Sequence, residues 1–197
     1  MEENITRQKR KKNKTHKSIM HAAKTLFDKK GIGNVTADEI SEMADISRST
    51  FFNHFSSIDD LLYEIANEEI EDLIDVVKKE KKTGLENIEL LLNTLIEDIY
   101  NYPSLSMFLL TNNILNKKNE SCKQIVEIIR NDLVLEGKNS FKNFSLDELT
   151  GLLLGSVFGR LYQKFIEGTP FNDIEQQKYT ICKILKLLNL EEKQNGW

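Results

Sequence analysis

Residues 34–55 read NVTADEISEMADISRSTFFNHF and predict two short helices joined by an abrupt turn. The first helix is expected over residues 36–44 and the second over residues 47–55, so only two residues separate them. Thr36 precedes a glutamate by three positions, which is the spacing of a capping box, and Ser47 supplies a hydroxyl cap for the second helix. The pattern therefore marks two closely spaced helix starts.

The turn and the apolar residues on either side of it indicate a helix-turn-helix. Asp45 lies in the turn, where aspartate tolerates the left-handed backbone that an abrupt change of direction needs. Ile40, Phe51 and Phe55 are spaced to pack against a preceding helix around Leu26. Three helices packed in this way form a DNA-binding unit whose last helix enters the major groove.

The exposed face of that last helix is expected to consist of hydrogen-bonding side chains. They are Arg48, Ser49, Thr50, Asn53 and His54. Arginine pairs with guanine and asparagine with adenine, while hydroxyl groups reach phosphates. A buried structural role for His54 is an equal alternative to a phosphate contact, and a helix-turn-helix that binds another protein is the alternative to DNA binding.

The rest of the chain predicts an all-α fold. Apolar residues recur at intervals of three and four, and β-branched alternation is nowhere sustained. Glycine and proline stops divide the chain into nine or ten helices, of which one is long and runs from Ser57 to about Glu80. Ser145 and Glu148 form a second capping-box pattern.

Charge is distributed unevenly along the 197 residues, whose formal net charge is −4. That value argues against a nucleic-acid binder, but residues 1–60 hold 11 basic and 9 acidic side chains, whereas the remainder is acidic. The segment Arg7–Lys17 contains seven basic residues and no acidic one. It predicts an arm that contacts DNA phosphates, and the alternative is a solvated, disordered tail.

Several other classes of protein are not supported by the sequence. No apolar run approaches the roughly 20 residues that a membrane span needs, and the polar N-terminus does not resemble a secretory signal. A cytoplasmic protein is therefore expected, with Cys122 and Cys182 reduced. Because no phosphate loop, nucleophile–base pair or metal-ligand spacing occurs, we expect neither an enzyme nor a bound cofactor or metal.

The segment from Ile19 to Leu62 is in register with one known family. It reads IxxAAxxLFxxxG and then VTADEISEMADISRSTFFNHFSSIDDLL, and it resembles the DNA-binding domain of the tetracycline-repressor (TetR) family. The resemblance implies a homodimer that binds a palindromic operator in double-stranded DNA, usually as a repressor, and releases it when a small-molecule effector binds. We therefore expect DNA binding over residues 12–60, and ligand binding and dimerisation over residues 61–197.

The resemblance also implies roles for single residues. Thr36 would cap its helix and touch a phosphate, and His54 would face the DNA backbone. The predicted DNA-contacting residues are Lys9, Arg10, Lys11, Lys12, Lys14, Thr36, Ser47, Arg48, Ser49, Thr50, Phe52, Asn53 and His54. Three positions depart from the family pattern, because Asp45 replaces a glycine, Phe52 a tyrosine and Ile58 a lysine.

Two further sites are predicted in the C-terminal region. The resemblance implies that the last two helices of each subunit form a four-helix bundle, so the predicted dimer interface consists of Gly151, Gly155, Gly159, Ile181, Leu185 and Leu188. Each of its glycines costs roughly 1 kcal/mol relative to alanine in a helix, so close approach of another helix is expected. The predicted ligand contacts are Leu92, Leu95, Ile96, Tyr100, Met107, Phe108 and Phe158. The alternatives are packing within one subunit for the glycines and plain hydrophobic core for the ligand residues.

Overall fold

The computed structural model describes residues 2–111, 120–137, 140–141 and 144–190, and this part of the protein is almost entirely helical. The all-α prediction is confirmed, with nine α-helices and one 3-10 turn, Ile32–Asn34, among the described residues. The helices are α1 (Glu2–Lys30), α2 (Ala37–Met43), α3 (Arg48–His54), α4 (Ile58–Glu80), α5 (Gly84–Asn101), α6 (Pro103–Thr111), α7 (Glu120–Leu135), α8 (Leu146–Glu167) and α9 (Ile174–Leu190).

A short β-hairpin precedes α8 and was not expected from the sequence. Its strands are β1 (Ser140–Phe141) and β2 (Phe144–Ser145), which pair antiparallel. Ser145 also caps α8, because its hydroxyl accepts from the backbone N–H of Glu148 at 3.3 Å. The Glu148 carboxylate accepts in return from the Ser145 N–H at 2.7 Å, which completes the predicted capping box.

The chain forms two compact units. The N-terminal unit contains Met1–Ala66 and Ser104–Lys117, and the second unit contains Asn67–Pro103 and Lys118–Trp197. The long helix predicted from Ser57 is confirmed as α4, which begins in the first unit and ends in the second. The division of function near residue 60 stays a prediction.

The N-terminal unit has its own hydrophobic core. Within it, α1 packs against α2, and α2 packs against α3. Its buried apolar residues are Ile19, Met20, Ala22, Ala23, Leu26, Phe27, Val35, Ile40, Phe51, Phe55, Leu61, Leu62, Ile65, Ala66, Leu105 and Met107. Burial of one leucine, isoleucine or phenylalanine side chain stabilises a fold by roughly 1.5–3 kcal/mol, so this small unit has a substantial core.

The second unit is organised around α5, which contacts α7, α8 and α9. Its own buried residues recur at helical spacing and are Ile88, Leu91, Leu92, Ile96 and Ile99. The neighbouring helices contribute Ile125, Ile129, Leu133, Leu149, Leu153, Val157, Leu161, Ile181, Leu185 and Leu188 to the buried set.

The N-terminus of α5 is capped by side chains from a distant part of the chain. Asp132 of α7 accepts hydrogen bonds from the Gly84 N–H at 2.8 Å and from Asn87 Nδ2 at 2.7 Å. Glu136 accepts a longer bond from the Leu85 N–H at 3.3 Å. Gly84 has a φ of +64°, and a Cβ there would overlap the Glu136 side chain, so another residue at this position would be strained and would displace Glu136. The two carboxylates supply acceptors that the helix end lacks.

No helix in the described part of the chain combines the length and the apolarity that a membrane span requires. Across the same residues, no group of three or more His, Cys, Asp or Glu side chains is arranged to hold a metal ion. Cys182 is a half-buried free thiol, and the side chain of Cys122 lies outside the described residues.

Candidate nucleic-acid interface

The first short helix, α2, begins at the capping box predicted at Thr36. The Thr36 hydroxyl accepts from the Glu39 N–H at 3.3 Å, and the Glu39 carboxylate accepts from the Thr36 N–H at 2.8 Å. Lys30 donates to the same carboxylate at 2.7 Å. The Lys30 ammonium and the Thr36 donors together lower the pKa of Glu39 to about 2, so this cap stays ionised at any physiological pH.

The turn between α2 and α3 has the left-handed backbone that the sequence predicts. Asp45 has a φ of +54°. The turn is closed by hydrogen bonds from the Asp45 N–H to the Glu42 carbonyl and from the Ile46 N–H to the Ser41 carbonyl. Ser41 is buried, and its hydroxyl donates to the Ala37 carbonyl at 2.7 Å. A small residue here allows α2 and α3 to approach closely.

The second short helix, α3, lies on an aromatic core that fixes which face is exposed. Phe51 and Phe55 are fully buried, with their ring centroids 5.9 Å apart. Ser47 caps the helix by accepting from the Thr50 N–H at 3.1 Å. Opposite the buried rings, Ser49 and Asn53 are exposed to solvent. Of the face that the sequence predicts, Arg48, Ser49 and Asn53 are exposed, whereas Thr50 and His54 are half-buried. The DNA contacts of all five residues stay predictions.

The guanidinium group of Arg48 is held on this face by two neighbours. Its Nη1 atom donates to Asp38 Oδ2 of α2 at 2.5 Å, and its Cζ atom lies 5.4 Å from the centroid of the Phe52 ring. Both members of the ion pair are exposed, and Phe52 is 44% exposed. Because an exposed ion pair contributes little to stability, its main effect is to orient the guanidinium group. The sequence predicted Arg48 but not the contribution of Asp38.

His54 at the end of α3 has contacts that the sequence did not indicate. Its Nδ1 atom lies 3.3 Å from Nδ1 of His16, and His16 Nε2 lies 2.7 Å from Glu64 Oε1. The His16 ring also stacks on Phe55, at 4.5 Å between centroids. Burial, followed by the charges of His16 and Lys12, lowers the pKa of His54, and Glu64 acts in the opposite direction.

The basic arm is part of α1 in the structure. Arg7 and the lysines and arginine that follow it lie within Glu2–Lys30, and their side chains are exposed. The exposed basic residues of the arm are Arg7, Lys9, Arg10, Lys11, Lys12, Lys14 and Lys17. A helical arm presents these charges at defined spacing, and its contact with DNA stays a prediction.

The residues predicted to contact a ligand are distributed over three helices and both units. Leu92 and Ile96 of α5 are buried in the second unit, while Tyr100 is 42% exposed. Met107 of α6 is buried, and Leu95, Phe108 and Phe158 are half-buried. A cavity of about 160 Å³ lies in the second unit, but its lining residues are not the predicted ligand contacts. It is lined by Leu85, Glu86, Glu89, Cys182, Leu185 and Lys186.

The predicted dimer residues divide into two groups. Gly151, Gly155 and Gly159 are exposed, and a Cβ atom built at any of them meets none of the described residues within 4 Å. Packing within one subunit therefore does not explain these glycines. The prediction for the second group is wrong, because Ile181, Leu185 and Leu188 are at most 5% exposed in the single subunit and belong to its core. Buried side chains have no accessible surface left to offer a partner.

The exposed surface of α8 contains large apolar residues beside the glycines. Leu152, Tyr162 and Ile166 are more than half exposed, at 54%, 52% and 67%. At 100° per residue these side chains share one helix face with Gly155 and Gly159. On α9, the exposed large apolar residues are Tyr179 and Leu187. We refer to the α8 face formed by Gly151, Leu152, Gly155, Gly159, Tyr162 and Ile166 as the glycine face.

Comparison with known proteins gives one family and a set of similar folds. Residues 19–65 match the family model described as bacterial regulatory proteins of the tetR family. That range contains the capping box, the turn and the whole of α3. No curated protein sequence matches the chain.

Solved structures of transcriptional regulators have the same fold. FadR from Bacillus subtilis, in complex with stearoyl-CoA, is 15% identical, with a TM-score of 0.70 over 85% of this chain and 96% of that one. A transcriptional regulator from Aquifex aeolicus VF5 is 22% identical, with a TM-score of 0.69 over 88% and 99%. FadR from Thermus thermophilus, in complex with lauroyl-CoA, is 21% identical, with a TM-score of 0.55 over 86% and 92%.

These findings agree with the geometry of the N-terminal unit. The matched segment is the one in which α3 presents a polar exposed face on a buried aromatic core. The similar structures, which are those of transcriptional regulators, extend the likeness of fold over 85–88% of the chain. Residues 19–65 are therefore similar to the bacterial regulatory proteins of the tetR family, and the fold of the chain is similar to that of solved transcriptional regulators.

Proposed function

We propose that this protein is a ligand-responsive repressor that binds a palindromic operator as a homodimer. The observation that carries the proposal is the outer face of α3. Its exposed polar side chains can form hydrogen bonds with bases, and the opposite side of the helix packs on fully buried phenylalanines. A short, rigidly backed helix of this kind fits the major groove.

Base recognition is assigned to Arg48 and Asn53 on that face. Arg48 would form the bidentate contact with guanine, since Asp38 and Phe52 already orient its guanidinium group. Asn53 would contact adenine in the same groove. Ser47 and Ser49 lie at the helix N-terminus, 2.9 Å apart between their hydroxyl oxygens, where they can donate to a phosphate.

Phe52 takes a supporting part in this proposal. Without a phenolic hydroxyl it cannot donate to a phosphate, but its ring lies under the Arg48 guanidinium group. The contact with this ring restricts the rotamers of Arg48 and so fixes the direction from which its guanidinium group enters the groove.

Dimerisation is assigned to the glycine face. It is exposed, apolar and free of side-chain bulk at three positions, so a second helix can approach its backbone. In a two-fold symmetric dimer the same face of each copy would meet, which makes a self-complementary small and apolar surface suitable. Tyr179 and Leu187 of α9 would extend the contact.

Control by an effector is assigned to the second unit. Because α4 is continuous from Ile58 to Glu80, a ligand that displaces its C-terminal half can move the half that belongs to the N-terminal unit. The first compound to test is stearoyl-CoA, which is bound by one protein of the same fold. An effector that releases the protein from DNA lowers its affinity for the operator by some factor. The operator must lower the affinity for the effector by the same factor.

The proposal is tested by selecting duplexes from a random-sequence pool with the purified full-length protein. Enrichment of an inverted repeat is expected, and the Arg48→Ala/Asn53→Ala variant should not enrich the same repeat. Arg160→Ala is a matched control, because it removes an equal charge from α8, outside the N-terminal unit. If the wild type enriches no sequence, or if the double variant enriches the same repeat, the proposal fails.

A further inference from the structure

The contact of His54 with His16 forms one end of a chain of three titratable side chains from three helices of the N-terminal unit. The Oε1 atom of Glu64, on α4, lies within hydrogen-bond distance of Nε2 of His16, on α1, at 2.7 Å. The Nδ1 atom of His16 lies 3.3 Å from Nδ1 of His54, on α3. Neither histidine is fully buried, and Lys12 of α1 is the other charge that acts on His54. This arrangement restricts where protons can reside.

Hydrogen-bond logic fixes the tautomers when both rings are neutral. A carboxylate only accepts, so His16 must carry its proton on Nε2 in order to donate to Glu64. Its Nδ1 then has a lone pair, and His54 must donate to it from its own Nδ1. The Nε2 atom of His54, on the far side of the ring, is left with a lone pair and repels a phosphate oxygen.

One additional proton on the pair converts the Nε2 atom of His54 from a hydrogen-bond acceptor into a donor. If the proton is placed on His16, its Nδ1–H donates to His54 Nδ1, and the His54 proton moves to Nε2. If it is placed on His54, that ring keeps Nδ1–H and gains Nε2–H. In both microstates the outer Nε2 of His54 becomes a donor, so the result does not depend on which ring carries the charge.

We propose that His16, backed by Glu64, is a positioning residue that couples the contact of His54 with a DNA phosphate to the uptake of one proton. The proposal rests on the DNA-binding function proposed above and deepens it. It explains why His54, at the end of the recognition helix, is held by groups from α1 and α4. The charged groups that face the pair are Glu64, which favours the added proton, and Lys12, which opposes it.

The direction of the effect follows from proton linkage. The pKa of His54 is lowered in the free protein, so His54 is largely without an added proton at neutral pH. A bound phosphate adds a negative charge beside the ring and raises that pKa, so the complex holds more protons than the free protein. DNA affinity must therefore rise as the pH falls, by up to about tenfold per pH unit for one proton.

The experiment measures the affinity of the full-length protein for a selected duplex between about pH 8 and pH 5, at constant salt. The wild type and His21→Gln should show the same rise, because His21 is exposed on α1 and lies outside the chain of three. His54→Gln and His16→Gln should flatten the profile. An unchanged profile in either variant would overturn the proposal, and circular dichroism checks that both remain folded.

A second measurement needs no DNA. Long-range proton–nitrogen NMR correlations report which ring nitrogen of each histidine carries hydrogen, and the signals lost in His16→Gln, His21→Gln and His54→Gln assign the wild-type spectrum. At about pH 8 we expect Nε2–H on His16 and Nδ1–H on His54. The opposite tautomers would overturn the proposal. If the tautomers are as expected but the wild type binds no duplex at any pH, the DNA-binding function has failed instead.

Discussion

The outer faces of α3 and α8 are both exposed to solvent, but they expose opposite chemistry. The α3 face carries Arg48, Ser49 and Asn53 on a short helix whose position is fixed by a cap and by buried rings. The glycine face belongs to a helix of 22 residues, and its side chains are either absent or apolar. Exposure alone does not distinguish these surfaces, whereas the available hydrogen-bonding groups do.

The difference indicates the kind of partner that each face fits. A surface of donors and an oriented guanidinium group gains from a partner that has acceptors and negative charge, as DNA has. A surface of glycine and largely apolar residues, on which the Tyr162 hydroxyl is the one side-chain donor, gains from close contact with a similar surface. The contrast can be tested by adding bulk to one face and removing polar groups from the other.

The largest effect is expected from Gly155→Leu. A Cβ atom at this position meets none of the described residues within 4 Å, so the fold should be unaffected. Because the position occurs twice in a symmetric dimer, overpacking of about 1–3 kcal/mol per copy raises the dimer dissociation constant by roughly 30-fold to 10⁴-fold. Light scattering with circular dichroism should reveal a helical monomer.

Gly33→Leu is the matched control for that experiment. Gly33 is also exposed, with an ordinary φ and nothing within 4 Å of a Cβ atom, but it lies in the N-terminal unit. It should leave the oligomeric state unchanged. A Gly155→Leu protein that remains a dimer would show that the glycine face is not the interface.

A smaller effect is expected from Arg48→Ala, which tests the polar face. Loss of a bidentate base contact should cost about 1–3 kcal/mol and relax the preference at one base pair in each half-site. The measurement is competition between the selected duplex and its single-base variants. An equal loss on every duplex, random ones included, would mean that Arg48 contacts a phosphate.

The smallest effect is expected from deletion of residues 1–10, which removes Arg7, Lys9 and Arg10 from α1. Affinity should fall equally for specific and random duplexes, because phosphate contacts carry no sequence information. The slope of log affinity against log salt should decrease by about 0.9 for each DNA phosphate that these side chains neutralise in the wild type. With an unchanged slope, these three charges would have no part in DNA binding.

The features that the sequence predicted correctly depend on neighbours within a few residues. Thr36 with Glu39, and Ser145 with Glu148, form capping boxes because the interacting groups are three residues apart. Asp45 adopts the left-handed backbone that its own side chain tolerates. Local spacing was sufficient to place α2, α3 and the start of α8.

The features that were missed depend on contacts between distant residues. The bond of Asp132 to Gly84 joins positions 48 residues apart, as does the bond of His16 to Glu64. Helical periodicity showed that Ile181 lies on an apolar face, but it could not show whether that face packs inside the subunit or against a partner. The burial of α9 residues was decided by the packing of α5.

The central claim is that two copies of α3 read an operator in adjacent major grooves. It is tested most directly by hydroxyl-radical footprinting of the wild-type protein on the duplex that selection enriches. The account predicts two protected half-sites related by two-fold symmetry, with their centres about 34–36 Å apart or at a multiple of that distance, on one face of the DNA. A single protected block without symmetry, or protection that does not depend on sequence, would contradict it.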